Sequence, residues 1–246
     1  MMDEVFKYPD TNSSRAGIMA LNTKFEGHKI AIVGVGGTGS YILDLVAKTH
    51  VAEIHLYDGD VFEVHNAFRA PGACPADKFD SDGNLSKVGY FTEIYSHLRN
   101  GVIPHHAYVN ESNILELANY DFVFISVDSN KVRSFITKEL LRLEIPFIDV
   151  GMGVNQVGDQ LLGTIRVTAG TPNCFEHLQH RIGSEEFAEN EYATNIQIAD
   201  LNCLNAAFAV LRWKKMVGFY QDLKKEHNKL YFTNTGKLLN EDLADI

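Results

Sequence analysis

The chain has 246 residues, 45% of them hydrophobic, and its 32 acidic against 22 basic side chains leave a formal net charge of −10. That length and apolar content suit one large α/β domain and leave no room for two full ones. The acidic balance excludes a nucleic-acid surface as the main partner, because phosphate backbones demand clustered Lys and Arg. No apolar run approaches the length of a membrane span, and MMDEVFKYPD has neither the basic start nor the apolar core of a secretion signal, so no membrane and a cytoplasmic location are expected.

Residues 1–27 are polar and turn-rich, weakly helical around Ala16 to Phe25, and read as an N-terminal arm. The run Ile30 to Val33 is a buried strand, Gly34, Gly36, Gly37 and Gly39 form a turn, and Tyr41 to Lys48 is an amphipathic helix. A second strand, Ile54 to Tyr57, ends in Asp58. The stretch from Gly59 to Ser86, with Pro71, Gly72, Pro75 and Gly83, is too long for a simple connection and reads as a functional loop. A helix over Lys87 to Leu98, a short strand at Ala107 to Val109, a helix at Ile114 to Ala118 and a strand at Phe122 to Val127 come next. Asn130 to Leu143 is helical and Pro146 to Val150 is another buried strand. The alternation predicts a Rossmann-like, doubly wound, mostly parallel sheet with helices on both faces. It breaks after Gly151, beyond which Leu161 to Thr168 reads as an antiparallel extension. Residues 170–197 form an irregular crossover loop, Ile198 to Val217 is a long apolar helix, and 219–246 is a C-terminal tail with one hairpin at LYFTNTGKLL.

The glycine turn lets backbone approach phosphate oxygens at the start of a helix, where free N–H groups and the dipole favour anions. Asp58, about 20 residues on, stands where such folds place the carboxylate that meets a ribose. The residues beyond Asp58 do not fit a dehydrogenase. DGDVFEVHNAFR spaces Asp58, Asp60, Asn66 and Arg69 along the loop, Lys87 opens the next helix, and VDSNKVR adds Asp128 and Arg133 after a strand. In a doubly wound sheet these strand ends share one crevice. Cations and amides there can neutralise a triphosphate, and Asp128 can hold magnesium, which takes one or two carboxylates plus phosphate oxygens. Asp128 is alternatively an N-cap for the helix from Asn130, and Arg133 reads as structural.

Together these motifs, over roughly Arg15 to Val217, resemble the ThiF/MoeB family, the ubiquitin-activating-enzyme type of adenylation domain. The resemblance implies one adenylation domain over 1–246, using ATP and Mg2+ to activate the C-terminal carboxylate of a small ubiquitin-like or sulfur-carrier protein. It implies Asp58 on the ribose with Asp60 in support, Asn66, Arg69 and Lys87 on the phosphates, Asp128 on magnesium, and Arg15 reaching a dimer partner's nucleotide. It further implies a homodimer, a Gly-rich substrate tail and a conjugating enzyme as a further partner.

Three cysteines, Cys74, Cys174 and Cys203, with no CxxC pair, argue for reduced thiols and against both a disulfide framework and the family's structural zinc. Cys174, at the start of the crossover loop, is the expected thioester nucleophile. His177 and His180 share helical spacing with it, as modulators of the thiol or as metal ligands. Cys74 is the alternative nucleophile, and Cys203 is expected to pack inside its helix. Gly151, Met152 and Gly153 are expected either to border an extended substrate tail or to make a tight turn. An NAD-dependent oxidoreductase and a catalytically silent partner subunit are the competing readings.

Overall fold

The computed structural model describes residues 5–79, 85–182 and 196–243. In chain order its elements are α1 (Thr11–Ala16), β1 (Lys29–Val33), α2 (Gly37–Ala47), β2 (Glu53–Tyr57), α3 (Val64–Ala67), α4 (Lys87–Ser96), β3 (Val102–His105), β4 (Phe122–Ile125), α5 (Asn130–Arg142), β5 (Phe147–Val157), β6 (Gln160–Gly170), α6 (Leu178–Arg181), α7 (Ala199–Met216), β7 (Glu226–Phe232) and β8 (Lys237–Leu243). The strands form one sheet in the order β3-β2-β1-β4-β5-β6-β7-β8. The first five pair in parallel and the last three antiparallel. The chain winds outward from β1 through β2 to β3, then crosses back to β4, so the order reverses between β1 and β4. At such a reversal the connections leaving the strand tips part and open a crevice.

Strand alternation sorts the core onto two faces. Ile30 and Ile32 of β1 face one side with Ile42, Val46, Phe91 and Trp213, which α2, α4 and α7 contribute. Ala31 and Val33 face the other with Ile136 and Leu140 of α5 and Leu178 of α6. The period of two in the strands and the apolar stripes of the helices thus meet as three layers.

Several elements differ from the sequence reading. The helix after the glycine turn begins at Gly37, not Tyr41, because packing against α7 outweighs glycine's poor helix propensity. The third strand is Val102–His105, while Ala107 to Val109 is loop; Pro104 disguises the strand and is tolerated because β3 is an edge. The stretch at Ile114 is a 3-10 helix, and the N-terminal helix precedes Ala16, with a 3-10 segment at Met19–Lys24. β5 does not break at Gly151. It runs on to Val157 in an 11-residue strand whose ladder with β6 starts at Phe147↔Gly170 and ends at Val157↔Gln160. The tight turn expected at Gly151 to Gly153 is therefore continuous strand. The hairpin near the C-terminus is present, and it extends the main sheet where a tail was expected. Residues 183–195 of the crossover loop, Gly83 of the long loop and the last three residues lie outside those described.

Candidate nucleotide-binding crevice

The crevice is built on the tips of β1, β2 and β4. Gly34 leaves β1 at φ +87, and a Cβ there would collide with the Ser126 carbonyl at the end of β4, so only glycine lets these tips approach. Gly37 and Gly39 pack against Asn202 and the Gly34 carbonyl. Gly36 differs: a Cβ on it would meet nothing within 4 Å. Of the turn's four glycines, Gly36 is the one that opens onto free space at the start of α2, where helix N–H groups lack intrahelical partners.

Asp58, 7% exposed, is fixed at the tip of β2. Its Oδ2 accepts the Val35 N–H at 2.9 Å and its Oδ1 the Asp60 N–H at 2.9 Å. Burial pushes its carboxyl pKa up, opposed by Lys87 and these two N–H groups. Lys87, buried in the first turn of α4, reaches Asp60 Oδ2 at 2.5 Å and stands 3.8 Å from Asp58 Oδ1. Tyr108 donates its hydroxyl to the other oxygen of Asp60. Burial works to raise the Asp60 pKa, but the hydrogen bonds from Lys87 and Tyr108 outweigh it and hold it below the usual range.

Asn66 and Arg69 lie in and just after α3. Asn66, 4% exposed, accepts the Glu63 N–H on Oδ1 at 2.8 Å, while its Nδ2 is buried with no hydrogen-bond partner among the described residues. Arg69 Nε is likewise buried and unpartnered. Burial lowers the Arg69 pKa, and the charge of Asp128 opposes that shift. Asp128 is therefore within electrostatic reach of Arg69 across the crevice, itself exposed beyond the tip of β4. Ser129, not Asp128, caps α5, accepting the Val132 N–H at 3.4 Å. Arg133 is structural: it donates to Asp149 Oδ1 at 2.8 Å, to Asn130 Oδ1 at 2.7 Å and to the Val127 carbonyl, pinning β4 to β5.

Two residues of α7 escaped the sequence reading. Asn202, fully buried, accepts the Thr38 hydroxyl at 2.9 Å and donates to the Arg69 carbonyl at 3.4 Å, joining the first turn of α2 to the Arg69 loop. Asn205 donates to the Gly151 carbonyl at 3.0 Å. Their signal was two amides three residues apart in the apolar stretch from Leu201 to Leu211. Cys203, between them, is exposed and not packed in the core as expected.

The remaining candidates lie elsewhere. β6 runs antiparallel, and Gly170 pairs with Phe147, the first residue of β5. Cys174 therefore sits past the amino-terminal end of the parallel strands, roughly 15 Å or more from Asp128 by strand rise. It stands at the start of the crossover loop, as expected, but at the opposite end of the sheet from the crevice. Its Sγ lies 3.9 Å from His177 Nδ1, and His177 Nε2 lies 2.9 Å from the Ala169 carbonyl. Burial, with Asp242 nearby, raises the thiol pKa, contrary to an activated nucleophile. No group of three or more His, Cys, Asp or Glu among the described residues could hold a metal, so Cys174, His177 and His180 do not form a metal site. Cys74 is half-buried in the long loop, beside Tyr90. Arg15 is exposed in the last turn of α1. That helix is tied by Asp10 to His50 at 3.1 Å, beyond the far end of α2, so the chain does not bring Arg15 to its own crevice. No helix among the described residues is long and apolar enough to cross a membrane.

A model of the ThiF family matches residues 16–240, and the chain belongs to that family. The family adenylates a substrate carboxylate with ATP, and the chain is an adenylyltransferase of this type. No protein of curated function matches the chain in sequence. Among solved structures, E. coli MccB with MccA-N7isoASN is similar with a TM-score of 0.71 and 16% identity, over 98% of this chain and 73% of that one. E. coli MccB with ATP gives 0.68 and 18%, over 97% and 73%. A structure of PaaA gives 0.71 and 16%, over 100% and 77%.

Proposed function

We propose that the crevice binds ATP with Mg2+ and adenylates the C-terminal carboxylate of a small protein or peptide with an extended, Gly-rich tail, a ubiquitin-like or sulfur-carrier protein being the leading class. The observation that carries this reading is the pair of buried, unpartnered donors, Asn66 Nδ2 and Arg69 Nε, beside the open Gly36 turn. Buried polar groups are almost always paired, so donors left free in this way fit a ligand with oxygens to spare. The donor set suits a triphosphate: Gly36 leaves room for it, Asn66, Arg69 and Lys87 supply N–H groups, and Asp58 accepts from a ribose hydroxyl. Asp128 would hold magnesium as its one protein carboxylate, with phosphate oxygens completing the shell.

The chemistry is governed by charge. A carboxylate oxygen attacks the α-phosphorus, a new P–O bond forms, and the bond to pyrophosphate breaks. Two anions must meet, so Arg69, Asn66 and Lys87 offset their repulsion and stabilise the transferring phosphate, at which loss of one donor costs about 10²- to 10³-fold in rate. Lys87 has to leave Asp60 to take part. The tail of the substrate approaches along β5 at Gly151 to Gly153, whose β4-facing edge has no ladder partner beyond Asp149 among the described residues. Structures of MccB with MccA support a substrate that is a small separate molecule. No thioester step is assigned to Cys174, which the strand direction takes away from the crevice.

ATP–pyrophosphate exchange dependent on a candidate partner tests the reading. Exchange is expected with the wild-type chain and not with Asp128→Ala, and full exchange by that variant would sink the magnesium assignment. A Cβ on Gly153 would meet nothing within 4 Å, which favours a folded Gly153→Val variant. That variant is expected to weaken activation of the partner more than ATP binding, and equal losses would remove the tail from this edge.

A further inference from the structure

Tyr108 belongs to no motif in the sequence, and it occupies a conspicuous place. It comes after β3 at the carboxyl end of the sheet, beside the tip of β2. Its ring lies against Gly59: a Cβ on that glycine would come within 2.6 to 2.8 Å of the ring atoms Cε2, Cδ2 and Cζ. Its hydroxyl is fixed on Asp60. Its carbonyl accepts from Asn110 Nδ2 at 3.2 Å and Asn113 Nδ2 at 3.0 Å, and the next residue, Val109, is buried in the core. The loop under the ring is thus held at three points. Even so, Tyr108 is 59% exposed. An aromatic side chain anchored in this way and this open to water offers an accessible ring next to Gly59 and Asp60 at the edge of the crevice. Its phenol feels the charges of Asp60, Asp58 and Asp128, which places it within reach of both the ribose carboxylate and the magnesium candidate.

We propose that Tyr108 is the platform on which the nucleobase stacks, and so a determinant of nucleotide affinity in a crevice whose polar groups read only ribose and phosphate. This rests on the crevice being the nucleotide site proposed above. A purine is a flat aromatic ring whose faces are left uncovered by Asp58, Lys87, Asn66 and Arg69, which the reading above assigns to ribose and phosphate. An aromatic surface beside the ribose carboxylate supplies what they lack. Gly59 is part of the device, because a side chain there would push the ring off its seat.

The test is calorimetric titration of ATP and of inorganic tripolyphosphate into the wild-type chain, Tyr108→Ala and Tyr108→Phe. Loss of a base–aromatic stack is expected to weaken ATP by about 10-fold in Tyr108→Ala. Tripolyphosphate affinity should stay unchanged in that variant, and Tyr108→Phe should bind ATP within about 2-fold of wild type, since the ring remains. Unaltered ATP affinity in Tyr108→Ala would overturn the proposal. So would an equal loss in Tyr108→Phe, which would transfer the role to the hydroxyl and its hold on Asp60. Equal losses for ATP and tripolyphosphate would mean a general disturbance of the crevice and would overturn it as well. Wild-type chain that binds neither compound would overturn the nucleotide reading itself, a result distinct from the other three.

Discussion

The crevice and the polar network behind β5 are both built from charge taken out of water, and they treat it in opposite ways. In the network, Asp149 is fully buried between Arg133 and Arg166, Arg166 donates to Thr168, Thr168 to Asn228 at 2.8 Å, and Asn228 to Glu241 at 3.1 Å. Glu241 in turn pairs with Arg181 at 3.0 Å. Each of these groups is satisfied by the protein. In the crevice, Asn66 and Arg69 keep donors buried and unpaired, and Asp128 faces solvent. Complete satisfaction fixes the antiparallel extension to the parallel sheet, whereas incomplete satisfaction stores binding capacity for a ligand.

The largest expected effect of breaking this contrast is on the network side. Asp149→Asn leaves the buried guanidinium of Arg133 and the half-buried one of Arg166 facing a neutral amide, and should destabilise the fold by about 3–5 kcal/mol. Urea unfolding would read this as a lowered midpoint, and a midpoint like that of wild type would show that the network carries little of the stability.

A smaller effect is expected inside the crevice, where two neighbouring carboxylates should titrate apart. The folded pKa of Asp58 is raised and that of Asp60 lowered from their shared ordinary value of 3.8. Folded Asp58 binds its proton more tightly than the unfolded chain, so its contribution to stability falls as pH rises through the window above 3.8. Asp60 has the opposite sign: its contribution is present above 3.8 and is lost as pH falls through its depressed pKa. Carboxyl carbon NMR titration should show Asp58 protonating first on acidification, with ATP affinity falling alongside it. The reverse order would contradict the burial and hydrogen bonding assigned to the pair.

The smallest expected effect is none. Cys174→Ala should leave pyrophosphate exchange within about 2-fold of wild type, because strand rise alone keeps the thiol away from Asp128. A loss of 10-fold or more would bring Cys174 back into the adenylation step.

Much of the crevice was legible in the sequence because its residues sit at the ends of strongly patterned elements. Gly34 ends a run of apolar strand, Asp58 ends the next, Lys87 starts a helix and Asp128 comes just after β4, so linear spacing alone brought them to one edge of a parallel sheet. The parts that were not legible depended on partners far away in the chain. Asn202 meets Thr38 across 164 positions and looks from its neighbours like a blemish in an apolar helix. Cys174 was read correctly at the start of the crossover loop after an antiparallel strand, but its distance from the crevice follows only from the register that pairs Gly170 with Phe147. Tyr108 fell in a stretch read as a strand, because Pro104 hid the real one at an edge where proline costs no ladder bond. Gly151 and Gly153 suggested a turn, and only pairing with all of β6 keeps them extended.

The central claim is that the unpaired donors of the crevice await a triphosphate, and thermal unfolding with and without MgATP tests it most directly. A ligand that binds only the folded state raises the unfolding temperature, by an amount that grows with the logarithm of its concentration above its dissociation constant. Wild-type chain should be stabilised by MgATP, and the double variant Asn66→Ala, Arg69→Ala should fold yet show little or no such shift. An equal shift in both proteins would contradict the account.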